Sequence, residues 1–98
     1  MKRFNRAILI QMRPGLNYTQ LAELADSMVS AVPAGEKDLE KIRKTVKEVV
    51  KSLTEKDLVV LIGRTPTVAV FVSEMLRQGK DSVSIAVWED GKYGITKL

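Results

Sequence analysis

Two short loops in this sequence carry residue types that bind phosphate. They span residues 11–17 and 63–67, and their candidate ligand-binding residues are Gln11, Met12, Arg13, Gly15, Asn17, Gly63, Arg64, Thr65, Pro66 and Thr67. Each loop has one arginine, whose planar guanidinium can grip a phosphate with a fork of N–H donors. The second loop adds two hydroxyl groups, and Gly63 would let its backbone approach a ligand closely. We therefore expect a phosphate-binding site built from both loops.

The positions of the two loops in the chain favour the same chemistry. Each loop follows an apolar run typical of a buried strand and precedes a predicted helix. In open α/β sheets, ligands bind beyond the carboxyl ends of the strands, where helix N-termini favour an anion. A purely structural interpretation stays open, with Thr65 as a helix cap, Gly63 as a strand terminator and Arg13 as a solvated residue. Neither loop matches the Walker A pattern or the full dinucleotide fingerprint.

The composition excludes several classes of chemistry. The chain has 98 residues, typical of a single domain (1–98), and contains no histidine and no cysteine. Disulfides, thiol nucleophiles, zinc fingers and histidine bases are therefore ruled out. The acidic residues fall at predicted turns or on helix faces and form no cluster typical of a metal site. We predict neither a metal nor a cofactor.

The positive charge is concentrated at one end of the chain. The 16 basic and 12 acidic residues give a formal net charge of +4. Residues 1–22 contain four basic side chains, Lys2, Arg3, Arg6 and Arg13, and no acid, so the rest of the chain is neutral. Such an end can attract the phosphates of a nucleotide or of nucleic acid. A solvated N-terminal tail is the alternative interpretation.

The apolar runs are too short for a membrane span or a signal peptide. The run that follows the basic N-terminal residues covers only residues 7–10. We expect a soluble, cytoplasmic protein with no membrane partner.

The first half of the chain predicts a strand and two helices. The run at 6–12, stopped by Pro14 and Gly15, is typical of a strand. Asn17 resembles an N-cap with Gln20 completing a capping box, which predicts a helix from Tyr18. Residues 28–32 are either the last turn of that helix or a short edge strand. The segment 37–53 predicts a surface helix, with an apolar stripe that comprises Leu39, Ile42, Val46, Val49, Val50 and Leu53.

The second half predicts a central strand, a helix and a hairpin. The apolar strand at 57–63 should be buried on both faces. A helix should follow, with Thr65 as N-cap, Pro66 at its first position and Gly79 just beyond its end. Its apolar start at 68–72 must be covered by the sheet or by a second subunit.

The chain should close with two paired strands. Strands at 82–88 and 93–97 flank the hairpin signal Asp90-Gly91. The fold class is therefore α/β: a single Rossmann-like domain with a small, mostly parallel sheet, helices on its faces and a C-terminal antiparallel hairpin.

This pattern resembles a known family over nearly the whole chain. The polar loop after the first strand, the cap and Gln20, the Asp-x-Val-Val-Leu-x-Gly strand at 57–63, Gly79-Lys80 and the closing hairpin are similar to small CRISPR-associated Rossmann-like proteins. These are compact relatives of CARF domains, and some are ring nucleases that bind or cut cyclic oligoadenylate second messengers. The resemblance implies a homodimer with loops 11–17 and 63–67 facing a two-fold-symmetric ring. The histidine that some members carry near the first loop is missing here, so the resemblance supports binding more than cleavage.

Cleavage would be possible without histidine or metal. The 2′-hydroxyl of RNA can act as the nucleophile when it is held in line with the phosphorus. Arg13 and Arg64 are then the candidate catalytic residues, because they could stabilise the developing charge. No residue is an obvious general base, so such a ring nuclease should be slow.

Two other functions stay open. One is a non-enzymatic, nucleotide- or nucleic-acid-binding regulatory or interaction dimer that uses the basic N-terminal segment and the lysine-rich helix at 37–53. The other is a plain nucleotide-binding domain. The distribution of the basic residues in space, at one sheet edge or along one helix face, separates these functions.

Overall fold

The architecture is a five-stranded α/β fold. The computed structural model describes residues 2–98. In chain order its elements are β1 (Phe4–Gln11), a 3-10 helix (Thr19–Glu23), β2 (Ala25–Val32), α1 (Leu39–Ser52), β3 (Asp57–Val60), α2 (Thr65–Arg77), β4 (Ser84–Glu89) and β5 (Lys92–Lys97). The strands lie in the order β2-β1-β3-β4-β5, and every neighbouring pair is parallel except β4 and β5. The predicted fold class is confirmed.

The segment after the first loop differs from the prediction. No α-helix begins at Tyr18; a 3-10 helix of five residues is followed by β2, which pairs with β1 from Phe4↔Ala25 to Gln11↔Val32. The capping box does not form, because Gln20 donates from Nε2 to the carbonyl of Gly91 at 3.2 Å instead. Of the two alternatives for residues 28–32, the strand is confirmed, and it extends back to residue 25.

Both α-helices pack on one face of the sheet. This helix-covered face buries Ile8, Ile10, Val59 and Ile85 from the strands against Ile42, Val46, Val50, Phe71 and Met75 from the helices. The second face buries a smaller cluster that comprises Phe4, Ala7, Leu9, Leu21, Ala25, Leu58, Val60 and Ala86. The 3-10 helix contributes Leu21 to this cluster, and Tyr93 and Ile95 of β5 pack against it. Because β3 contributes to both clusters, it is the central strand buried on both sides that its sequence predicted.

The buried residues of α1 lie on the apolar stripe that its sequence predicted. Its N-cap is Asp38, whose carboxylate accepts from the backbone N–H of Glu40 at 3.0 Å. Ile42, Val46 and Val50 are fully buried at helical spacing, while Leu39 is exposed. Burial of three aliphatic side chains on one stripe stabilises the helix far more than its propensity does.

The helix α2 begins one residue earlier than predicted. Its N-cap is Arg64, and Thr65 is already helical, so the prediction of Thr65 as N-cap is wrong. The other end agrees with the prediction, since Gly79 has a φ of +70° directly after the C-cap. Thr67, Phe71 and Met75 are buried at helical spacing, and this packing overrides the strand propensity of residues 68–72.

The hairpin between β4 and β5 has the turn that its sequence predicted. Asp90 and Gly91 have φ angles of +52° and +79°. Positive φ at both positions is the type I′ geometry that matches the twist of paired strands. Within residues 2–98, neither helix has the length and apolar character needed to cross a bilayer.

Candidate functional site

A buried glutamine joins the loops at the carboxyl edge of the sheet. Gln11, the last residue of β1, is only 1% exposed. Its Nε2 donates to the carbonyls of Pro33 at 3.1 Å and Glu36 at 2.9 Å, in the loop after β2. Its Oε1 accepts weakly, at 3.4 Å, from the N–H of Arg64, which follows β3. Because both Nε2 protons bind carbonyls of the chain, the part of Gln11 in the site is to position these loops.

Gly63 lies directly against this glutamine. Its φ is +140°, and a Cβ added to it would lie 2.8 Å from the Cβ of Gln11. No real Cβ sits that close to another carbon without displacement, so the residue must be glycine. The contact partner is Gln11, which gives Gly63 a packing role in addition to the ligand approach that its sequence position suggested.

The N-terminus of α2 opens at this edge without a capping side chain. Among the described residues no side chain accepts from its first-turn N–H groups, and its first turn holds no acid. The helix α1 differs, with Asp38 as its cap and Glu40 in its first turn. The N-cap residue Arg64 is exposed, and its carbonyl accepts from Val68 N–H at 3.0 Å. Within this first turn Pro66 has no N–H and Thr67 is fully buried, so the groups that can face an anion are the N–H of the exposed Thr65 and the side chain of Arg64, with the helix dipole behind them.

The two threonines of the second loop have different surroundings. Thr65 is exposed at the first helical position, followed by the exposed Pro66. Thr67 is fully buried, and its hydroxyl oxygen has no hydrogen-bond partner among residues 2–98. A buried hydroxyl without a hydrogen-bond partner lowers the free energy of unfolding by about 1–3 kcal/mol, so the Thr67 hydroxyl destabilises the fold.

The first loop is closed by a tyrosine. The hydroxyl of Tyr18 accepts from the N–H of Arg13 at 3.0 Å and donates to its carbonyl at 2.9 Å. The backbone N–H of Met12 is bound to Ser30 Oγ at 3.0 Å, and Asn17 Oδ1 accepts from the N–H of Thr19 at 2.8 Å. These bonds fix the backbone of the loop.

The side chain of Arg13 has no hydrogen-bond or ion-pair partner among residues 2–98. Arg13 is exposed. Gly15 has a φ of +85° with open space around it, as expected for a turn. The first loop leads into a 3-10 helix, so of the two predicted loops only the second ends at the N-terminus of an α-helix.

The structure brings the predicted loops together and adds a third. Because β1 and β3 are parallel neighbours, residues 11–17 and 63–67 leave the sheet at the same edge. The loop after β2, which includes Pro33 and Glu36, and the closing residue Tyr18 were missed. Pro33 after an apolar run was the available signal, since proline commonly follows a strand that it cannot continue.

The topology defines a Rossmann-like α/β protein. Comparisons of the chain with family models, with curated proteins and with solved structures found no match.

Proposed function

We propose that this protein binds a cyclic oligoadenylate at the carboxyl edge of its sheet, as a homodimer. The observation that carries the proposal is the N-terminus of α2, which has no side-chain cap among the described residues and Arg64 as its N-cap. Backbone N–H groups and the helix dipole stabilise a phosphate at such a position. An exposed arginine beside them adds a charge-assisted hydrogen bond.

The residues around α2 would divide the recognition of the ligand. The backbone N–H of Thr65, at the positive end of the α2 dipole, and the guanidinium of Arg64 would hold one phosphodiester. Arg13, on a loop whose backbone Tyr18 fixes, would contact a second phosphodiester or a base. The exposed hydroxyl of Thr65 would select for ribose or phosphate oxygens. Gln11 would act indirectly, by holding the loops in place before the ligand arrives.

A symmetric ring suits a dimer of this chain. Each chain supplies one uncapped helix N-terminus and two free arginines, enough for part of a ring that repeats the same phosphodiester. Met28 and Val29 on the edge strand β2 are exposed, but two-fold pairing through β2 would be antiparallel and would turn the carboxyl edges of the two chains away from each other. The dimer that a shared ring requires would instead bring the two carboxyl edges to face one another. Met75, in the second half of α2, is fully buried and contributes nothing to a dimer surface.

Cleavage of the ring would follow from binding geometry alone. The nucleophile would be the ligand's own 2′-hydroxyl, which attacks the adjacent phosphorus and expels the 5′-oxygen. Arg13 and Arg64 would stabilise the charge on the phosphoryl oxygens. The chain contains no histidine to serve as a base, so turnover would be slow.

The proposal is tested by incubating the protein with cyclic tetra-adenylate and cyclic hexa-adenylate. Binding of either ring should raise the melting temperature, and linear tetra-adenylate at the same concentration should raise it less. Chromatography of the mixtures then separates a binder, which leaves the ring intact, from a ring nuclease, which yields linear products. No thermal shift with either ring would contradict the proposal.

A further inference from the structure

A basic groove runs between the two α-helices, on the outer side of the helix layer. Its volume is about 560 Å³, and it is lined by Arg43, Lys44, Val46, Lys47, Val70, Ser73, Glu74 and Arg77. The residues of the second phosphate-binding loop are not among them. The groove is therefore a separate surface from the carboxyl edge.

The charges around the groove are unbalanced. Its single carboxylate, Glu74, is paired with Arg77, whose Nη2 lies 2.8 Å from Oε1 and 2.6 Å from Oε2. The hydrogen bond from Arg77 holds the pKa of Glu74 below its usual value, so Glu74 stays ionised. Its negative charge is paired with Arg77 and does not neutralise the other basic residues of the groove. The α1 side carries Arg43, Lys44 and Lys47, which we term the basic rim. No residue of the rim forms an ion pair within residues 2–98.

The accessible apolar surface of the groove, its floor, comes from Val70, which is half-buried. Val46 lies beneath it and is fully buried. An occupant must therefore offer both aliphatic groups for the floor and negative charge for the basic rim. Nucleic acid supplies the charge through its phosphates, but its backbone has no aliphatic side chains. An acidic amphipathic peptide supplies both, and grooves between helices commonly take such segments as helices.

We propose that this groove docks an acidic, amphipathic helical segment of a partner protein. Aliphatic side chains of the segment contact the floor, and its Asp or Glu side chains face the basic rim. The volume suits the few side chains that two helical turns present on one face. Since the rim is solvent-exposed, its charges set the rate and specificity of docking, and binding weakens as salt rises.

The test uses the full chain and a fluorescein-labelled synthetic peptide of about four helical turns, with Leu at helical spacing and Glu beside each Leu. Fluorescence anisotropy measures its binding at low and high salt. The test variant is the double substitution Lys44→Gln with Lys47→Gln. The matched control is Lys41→Gln with Lys51→Gln, which removes the same charge from the same helix outside the groove. Val70→Ala probes the floor.

The expected result is micromolar binding that the rim variant weakens at least about tenfold and the control less than about twofold, because only the rim faces the peptide. Val70→Ala should weaken it about threefold or more through lost apolar contact. Equal losses in the rim variant and the control would overturn the proposal. So would the absence of peptide binding, or selective binding of a single-stranded oligonucleotide that the rim variant abolishes. Binding of cyclic oligoadenylate should be the same in all these variants, which keeps this test independent of the proposed function.

Discussion

Gly63 and Gln11 are packed so closely that any side chain on Gly63 would displace Gln11. A Cβ on Gly63 would lie 2.8 Å from the Cβ of Gln11 and 3.2 Å from its backbone nitrogen and oxygen. The same contact brings the N–H of Arg64 towards Gln11 Oε1. The start of α2, where the proposed ligand binds, is therefore held by the end of β1.

Substitution Gly63→Ala should destabilise the protein by about 2–4 kcal/mol, since it combines a strained φ with overpacking. Gly15→Ala is the matched control, because Gly15 also has positive φ but has open space around it. That control should cost only about 1 kcal/mol. Urea unfolding measures both. Equal costs would show that the contact with Gln11 contributes nothing.

The ion pair between Arg6 and Asp57 should make stability depend on acid pH. Nε and Nη2 of Arg6 donate to the two carboxylate oxygens of Asp57 at 2.9 and 3.0 Å, and the N–H of Thr54 adds a third bond at 2.9 Å. Burial alone would raise the pKa of Asp57, but the bonds from Arg6 and Thr54 outweigh it and hold the pKa below its usual value.

A carboxyl group with a lowered pKa binds fewer protons in the folded state than in the unfolded state. Its contribution to stability is therefore complete above the unfolded pKa of about 3.9 and is lost as pH falls through the folded value. Asp57→Asn should be less stable than the parent protein at pH 7, and the difference should shrink below about pH 4. Urea unfolding across pH 2.5–7 checks this, and a constant difference would contradict it.

Arg64→Asp should separate helix stability from ligand binding. Aspartate is a good N-cap and interacts favourably with the helix dipole, so α2 should gain up to about 1 kcal/mol. The negative charge beside the first-turn N–H groups should abolish binding of cyclic tetra-adenylate. Thermal melts with and without ligand measure both effects. A variant that gains no stability would show that these N–H groups are not available, and one that still binds would place the ligand elsewhere.

The protein should be a homodimer in which the carboxyl edges of the two sheets face one another, since a shared ring must contact both. Sedimentation equilibrium at tens of micromolar should give twice the chain mass of 10.9 kDa. A monomeric parent protein would contradict the dimer.

Local patterns predicted the parts of the fold that local interactions decide. The Asp90-Gly91 turn needs positive φ at both residues, and these residues supply it at low cost. The apolar stripe of α1 and the apolar run of β3 likewise predict which of their residues are buried. The strand β2 was ambiguous because Leu21, Leu24 and Met28 also fit helical spacing, and only pairing with the distant β1 decides its structure.

The sequence predicted the position of the candidate site at the carboxyl edge of the sheet, but not the contacts that hold its loops. The two arginine loops do leave the sheet at one edge, because β1 and β3 are parallel neighbours. The role of Gln11 had no local signal, since its partners Pro33, Glu36 and Arg64 lie 22, 25 and 53 residues away. The cap of α2 was misplaced by one residue, because Thr65 has better capping chemistry than Arg64.

Isothermal titration of the protein with cyclic tetra-adenylate and with cyclic hexa-adenylate tests the central proposal most directly. The proposal predicts that one of these rings binds with one ring per two chains, since each chain supplies half of the site. Arg64→Ala should weaken this binding by about 1.5–3 kcal/mol, the size of a charge-assisted hydrogen bond, with the melting temperature unchanged. No heat with either ring, one ring per chain, or unchanged affinity in Arg64→Ala would contradict a two-fold site at the start of α2.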